Sequence, residues 1–278
     1  MTDVQVDLVR SHSDARAAVD VLGAVWPNPA GQPPLTSDFA WVLARWGNYV
    51  AIARRDGVPV GAAVGVRADG ELGPHLHSHV TGAVPGAQGS GIGFVLKQHQ
   101  RSWALAAGLD RIVWTADPLV ARNAYFNVTK LGARLTEFLV NFYGPMTDAI
   151  NAGDESDRCL VTWELASQRA VAAAAGRTDA PDLAALREAG AKDAFVLAED
   201  GTPVLTGAEA EVLLVQLPRD IVALRQQNPA LARAWRHALR GVFVPAFADG
   251  GEVAGVTRDS CFVLRVPPEI PRLTSLDR

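Results

Sequence analysis

The stretch Val84-Pro85-Gly86-Ala87-Gln88-Gly89-Ser90-Gly91-Ile92-Gly93 is the part of the sequence best suited to chemistry. An apolar run ends there, a glycine-rich turn follows, and an apolar stripe of helical period begins. Glycine lets backbone amides approach an anion with no Cβ in the way. The first N–H groups of a helix lack intrahelical partners and point outward, and the helix dipole adds about 0.3–1 kcal/mol for a nearby negative charge. A diphosphate is the guest such a turn suits. The stretch has no Gly-Lys-Ser/Thr, which a Walker loop requires. Gly93 is followed by Phe94-Val95-Leu96, so the third glycine of a dinucleotide fingerprint is missing as well.

Three histidines precede the turn. His75, His77 and His79 alternate, so on a strand they face one side, and imidazole is the usual base near neutral pH. Three readings stay open: a catalytic base at His77 or His79, packed imidazoles, or a zinc site, for which no acidic or Cys partner is obvious. Asp117 precedes Pro118 and suits either a helix N-cap or a group that orients or deprotonates an amine. His99 falls on an apolar stripe and reads as a satisfied core histidine. Glu71 and Glu137 are further acidic candidates that no pattern singles out.

The 278 residues carry 26 basic and 30 acidic side chains, a net charge of −4. Only Lys97, Lys130 and Lys192 are lysines; the other basic residues are arginines. The acidic balance disfavours nucleic-acid binding. No apolar run approaches the ~18 residues of a membrane span, and the acidic start lacks the features of a signal peptide; a cytoplasmic protein without membrane contact is expected. Cys159 and Cys261 are too few for a disulfide framework or a cysteine zinc site, and no metal is expected.

Elements that would position these residues follow from periodicity. Strands are expected at Val4–Val9, Tyr49–Arg54, Val58–Val66, His75–Val84, Arg111–Ala116, Leu135–Tyr143 and Cys159–Leu165. Helices are expected after Ser13-Asp14, after Thr36-Ser37-Asp38, from Gly91 to Ala107, and from Asp117-Pro118 to Gly132. The order is β-α-α-β-β-β-α-β-α-β-β through residue 166. An Ala-rich helix and linker over 167–190 lead to an α/β extension over 191–278. There Val212–Pro218, Gly241–Val244 and Cys261–Leu264 read as strands around helices, either a degenerate half-repeat of the run from Ile112 to Leu165 or an unrelated α/β extension.

Gln88, Gly91 and Gly93, with Val84-Pro85 before them, match the motif Gln/Arg-x-x-Gly-x-Gly/Ala. With Asn123, Leu131-Gly132-Ala133 and this element order, residues 1–166 resemble the GNAT superfamily of acyl-CoA-dependent N-acyltransferases. His-x-His-Ser-His and Asp-Pro-x-x-x-x-Asn resemble a two-part group of predicted acetyltransferases within it. The resemblance implies a mixed α/β fold whose central sheet splays between the strand ending at Val84 and the strand from Ile112 to Ala116. It implies that the amides of Gln88, Gly89, Ser90, Gly91, Ile92 and Gly93 cradle the diphosphate of CoA. Gly82, Ala83 and Val84 would pair with the pantetheine amides, and an amide near Val84 would hold the oxyanion. Asn123, Phe126 and Asn127 would line the cofactor, and the histidine strand would border the acceptor. Where the family often carries a tyrosine that protonates the thiolate, this chain has Val128; Tyr125, three residues earlier, is the substitute.

The function the resemblance implies is transfer of an acetyl or succinyl group from acyl-CoA to a primary amine of a small molecule, an amino acid by analogy. The amine attacks directly, with no acyl-enzyme. The candidate catalytic residues are His77, His79, Tyr125 and Asp117. Trp26, Phe39, Trp41 and Trp46 either wall the acceptor or pack the core. Arg45, Arg54, Arg67 and Arg122 are candidates for an acceptor carboxylate. A CoA-binding module without catalysis, and acylation of a protein amine, are the competing readings. A homodimer through the extension is a further expectation.

Overall fold

A computed structural model describes residues 4–26, 32–87, 89–144 and 154–267. Val4–Leu8 (β1), Tyr49–Arg55 (β2), Val58–Ala68 (β3), His75–Ala83 (β4), Arg111–Ala116 (β5), Arg134–Leu139 (β6) and Arg158–Glu164 (β7) form one mixed sheet in the order β1-β2-β3-β4-β5-β7-β6. The expected mixed α/β class is the observed one.

The chain separates into two compact units that do not follow chain order. The first runs through Trp114 and takes Trp163–Ala174; the second takes Thr115 onward, up to Thr162, and everything from Ala175. It therefore draws on both the segment expected to be catalytic and the tail.

In the first unit, His12–Val25 (α1) is capped by Ser11, whose side chain accepts from Asp14 N. Ser37–Arg45 (α2) is capped by Thr36, which accepts from Phe39 N. The β2–β3 hairpin turns on Asp56 (φ 52°) and Gly57 (φ 77°), the positive pair that matches strand twist. Ala18, Val19 and Leu22 of α1 pack with Ala40 and Leu43 of α2 and with Val50, Ile52, Ala62 and Val64 of the sheet. A fully buried leucine such as Leu22 contributes roughly 1.5–3 kcal/mol. Ile92–Ala106 (α3) buries Ile92, Leu96, Lys97, Gln100 and Ala104.

The second unit corrects several expectations. The segment after Asp117 is a short helix, Ala121–Tyr125 (α4), followed by a π-helical turn, Phe126–Lys130; its N-cap position is Val120, not Asp117. The expected strand Leu135–Tyr143 ends at Leu139. Gln168–Ala174 (α5), in the first unit, is the Ala-rich helix. The expected linker contains a further helix, Leu183–Glu188 (α6).

The tail forms Lys192–Asp193 (β8), Phe195–Leu197 (β9), Pro203–Leu205 (β10), Val212–Gln216 (β11), Ile221–Gln227 (α7), Pro229–Ala248 (α8), Glu252–Val256 (β12) and Cys261–Arg265 (β13). Gly241–Val244 is not a strand. Trp235, Leu239, Val242, Phe243 and Ala246 lie on the buried side of α8, and that helical spacing outweighs the β-branched run.

The tail strands order as β12-β13-β11-β8, with β8 parallel to β11. Read from the parallel pair, this is also the order β4-β5-β7-β6, but Gly241–Val244, one of the strands on which the half-repeat rested, is helix. Among the described residues no helix is long and apolar enough to cross a membrane.

Candidate active site

The first unit holds the glycine turn and the histidine strand. β4 pairs with β5 in parallel at Leu76↔Ile112 and His77↔Val113, and with β3 along its whole length. Opposite β3 the register jumps from Val64↔Val80 to Gly65↔Ser78, which leaves His79 as the extra residue of a β-bulge. A bulge bends its strand and raises the local twist. It lies just beyond the last β4–β5 pair, where a splay must begin. Gly65 permits this close approach: a Cβ there would sit 3.1 Å from Leu76 Cδ1 and 3.2 Å from His77 O.

Past the bulge, the amide of Val84 donates to Val60 O at 3.0 Å. That amide is committed to β3. Alternation along an antiparallel ladder instead turns the amides of Thr81 and Ala83 away from β3, toward the β5 side. Ala83, one of the residues expected to face a pantetheine arm, thus has its amide turned from β3. Gly82 is required for another reason: a Cβ would lie 2.8 Å from the Trp26 ring and 2.9 Å from Val25. Trp26 therefore closes against β4 and packs on the α1–α2 core. Phe39 and Trp46 are exposed, and Trp41 packs on the α1–α2 core.

The turn has the geometry an anion needs. Gly86, Gly89 and Gly91 have φ of 85°, 80° and 86°, and Gly91 caps α3 with no side-chain hydrogen bond. Val95 N makes the bond to Gly91 O at 3.0 Å. The amides of Ile92 and Gly93 thus lie in the turn whose N–H groups have no intrahelical acceptor. Ser90 Oγ donates to Ala87 O at 2.6 Å, which braces the turn. Gln88 lies outside the described residues. The residues present fit a diphosphate: open amides, a positive helix end and no acidic side chain in the first turn of α3.

His77 and His79 share a side of β4, their rings 6.2 Å apart. Burial, followed by the charges of His79, His75 and Lys97, lowers the pKa of His77; partial desolvation lowers that of His79. Both are neutral near pH 7, as a base must be. His75 Nδ1 is 2.7 Å from Gly73 O. His99 meets the Tyr49 hydroxyl at 2.9 Å, a satisfied histidine as read. Among the described residues no three His, Cys, Asp or Glu side chains gather as metal ligands would.

Sequence reasoning missed Lys97. It is 5% exposed, and its Nζ donates to Ser78 Oγ at 2.8 Å and Gln100 Oε1 at 3.1 Å, 3.9 Å from the centre of the Trp114 ring. Burial pulls its pKa down to about 7. Arg54 is engaged with Asp14 at 2.7 Å, Arg67 with Ala107 O at 3.0 Å, and Arg45 lies over Trp46.

Asp117, Asn123, Tyr125, Phe126 and Asn127 belong to the second unit. Asn123 is exposed, Tyr125 and Phe126 are half-buried, and Asn127 is buried. The π-turn closes with Leu131 N on Phe126 O at 2.9 Å. This i→i+5 winding takes Tyr125 further from the face of Val128 than an α-helix would.

Asp117 is not a free base. Its Oδ1 accepts from Leu119 N at 3.0 Å, and its Oδ2 accepts from Arg225 at 2.5 Å and Arg236 at 3.2 Å. Asp154 completes the cluster, at 2.8 Å from Arg225 and 2.7 Å from Arg236. Burial alone would raise the pKa of Asp117, but Arg236, Arg225 and Arg158 outweigh it and hold the carboxyl ionised.

Residues 16–132 match the model of the Acetyltransferase (GNAT) family. No curated protein matches the sequence. Similar solved structures include an acetyltransferase of the GNAT family from Streptococcus pneumoniae, 16% identical over 58% of this chain and 98% of that one, with a TM-score of 0.47. Another is yncA from Salmonella typhimurium with its cofactor acetyl-CoA, at 16% identity, 65% and 99% coverage and a TM-score of 0.48. A third is Arabidopsis thaliana Naa50 in complex with a bisubstrate analogue, at 19% identity, 57% and 97% coverage and a TM-score of 0.43. The similarity to that family thus spans residues 16–132, the segment that carries β4, its glycine turn and α3.

Proposed function

We propose that the protein moves an acyl group, acetyl or succinyl, from acyl-CoA to the primary amine of a small molecule, an amino acid being the class to test first. The observation that carries this reading is the adjacency of two features on one strand. β4 leaves β5 after His77↔Val113, and six residues beyond His77 it enters a turn whose glycines and helix end suit a diphosphate.

The roles follow from this geometry. Gly89, Gly91, Ile92 and Gly93 hold the diphosphate through backbone amides, while Ser90, whose amide and hydroxyl both donate to Ala87 O, braces the turn. The open edge of β4 at Thr81 and Ala83 takes the pantetheine arm, and one of those amides receives the charge that develops on the carbonyl oxygen. CoA supplies an activated thioester and a good leaving thiolate. A neutral His77 or His79, directly or through water, removes the proton an ammonium must lose before attack. A free CoA thiolate needs no strong acid, which agrees with Val128 in place of a tyrosine.

The test is a thermal shift with acetyl-CoA, succinyl-CoA and free CoA, beside Gly91→Glu. A ligand at 100 times its Kd adds about 2.7 kcal/mol, a rise of roughly 5–10 °C in Tm for a chain of this size. The variant places a side chain at φ 86° and a carboxylate where the anion binds, so its shift should vanish. The preferred thioester then goes into a screen of free amino acids against peptides. Absence of any shift from folded wild-type protein refutes the reading. A shift with no turnover on any amine favours a CoA-binding module.

A further inference from the structure

Lys97 is a cation in the wrong place for a structural one. It is buried, and among the described residues no carboxylate pairs with it. Its surroundings are a hydroxyl, an amide oxygen and the face of an indole. Ser78 is as buried as Lys97. Ser78 and Trp114 are the first residues beyond the last β4–β5 pair, so Lys97 Nζ sits at the closed end of the fork. Gln100, which orients the amine through Oε1, keeps a buried Nε2 with no partner among the described residues.

These contacts have the form of an activated nucleophile: a hydroxyl within hydrogen-bond reach of a base, and the base held by a third group. Ser–Lys pairs on unrelated folds use this arrangement. Desolvation pulls the Lys97 pKa down to about 7, and in the neutral amine Ser78 O–H can donate to the lone pair while an N–H of Lys97 donates to Gln100.

We propose that Ser78, Lys97 and Gln100 form a nucleophile–base set that takes the acyl group of a thioester onto Ser78 Oγ and, when no amine is present, passes it to water. The donor rests on the acyl-CoA reading above; the set itself does not. Lys97 accepts the Ser78 proton as Oγ attacks the thioester carbonyl. The C–S bond breaks, the thiolate leaves with that proton, and an O-acyl-serine remains. Water, deprotonated by Lys97, cleaves the ester and restores the serine. The net reaction is acyl-CoA plus water giving a carboxylic acid plus CoA.

The experiment incubates the full chain with acetyl-CoA and no amine, and separately with p-nitrophenyl acetate. Acid quench, intact mass and peptide mapping follow. The expected product carries one acetyl group on Ser78, released by neutral hydroxylamine as an ester is. Ser78→Ala, an almost isosteric change, abolishes it, and Lys97→Met slows its formation by roughly 100-fold. Both variants are checked for folding by near-UV circular dichroism and for their acetyl-CoA thermal shift. A stable amide on Lys97, or label confined to the exposed Lys130 and Lys192, overturns the proposal. So does an unlabelled Ser78 with both reagents in protein that binds acetyl-CoA. An ester on Ser78 from p-nitrophenyl acetate, with no acetyl-CoA shift, upholds the nucleophile and refutes the CoA donor.

Discussion

Replacing Lys97 by Met should remove the pH dependence that this lysine imposes on stability. In the folded chain its pKa falls from 10.5 to about 7, a difference worth roughly 5 kcal/mol at 1.36 kcal/mol per pH unit. The sign follows from proton counting. Between about pH 7 and pH 10.5 the unfolded chain keeps a proton that the folded chain has shed, so stability climbs with pH through that window. Below about pH 7 both states are protonated and the folded state bears the whole cost of a buried cation with, among the described residues, no carboxylate beside it. Met fills similar volume without charge. It forfeits the bonds to Ser78 and Gln100, about 0.5–1.5 kcal/mol each. The variant should therefore be more stable than wild type near pH 6 by a few kcal/mol and less stable near pH 10. Paired urea titrations across that range, followed by tryptophan fluorescence, read this directly. With only three lysines in the chain, 13C-labelled lysine resolves the titration itself: one ε-methylene signal should move near neutrality. Parallel stability curves for the two proteins, or no lysine signal titrating below about pH 9, would refute the reasoning.

Gly61→Ala should loosen the start of α3, because the new methyl would lie 2.6 Å from Ile92 Cγ2 and 3.0 Å from Leu96 Cδ1. A loss of about 1–3 kcal/mol in urea and a reduced acetyl-CoA shift are expected, and wild-type values for both would sink the packing argument. Asp117→Ala removes one of the two carboxylates that Arg225 and Arg236 share and leaves them Asp154, at a cost of roughly 3 kcal/mol, the low end for a broken buried ion pair. Because the folded pKa of Asp117 is depressed, its contribution is present above the ordinary carboxylate pKa and is lost as pH falls through the folded value. An Asp117→Asn protein whose stability follows wild type down an acid titration would show that the carboxylate is not what the arginines hold. His77→Gln and His79→Gln separate the candidate bases: with a working amine in hand, the true base costs roughly 10²–10⁴ in kcat. The lowered pKa values put the acid limb of the wild-type rate below the ordinary histidine value, and only the variant lacking the base should lose that limb.

What the sequence disclosed, and what it hid, divide along the range of the interactions. The glycine turn was legible because each requirement is local: Gly86, Gly89 and Gly91 adopt the positive φ that their residue type permits, and the apolar stripe after them continues as α3. Asp56-Gly57 and Thr36 are equally local, as turn and cap. Asp117 was open to misreading because its partners, Arg225 and Arg236, lie 108 and 119 residues away, and nothing near Asp117 in the chain announces them. The bulge at His79 could not be read from β4, since it depends on Gly65 across the ladder. Gly241–Val244 is a β-like run whose neighbours on α8 set the period.

Lys97 is the instructive case. A lysine among apolar residues of a helix is ordinarily taken for its solvated edge, and only the fold shows that 97 shares the buried face of Ile92, Leu96 and Gln100. One signal was nonetheless present. In a chain whose basic residues are nearly all arginine, a position that holds lysine holds the basic side chain that sheds its proton when desolvated. Arginine remains charged in any protein setting and could not act as a base there. The same argument says what Lys97→Arg must do. It keeps a cation and removes the only form of it that can take a proton from Ser78, so it should leave the acetyl-CoA shift in place and abolish the serine ester. If the Lys97→Arg protein forms that ester at the wild-type rate, Lys97 is not its base.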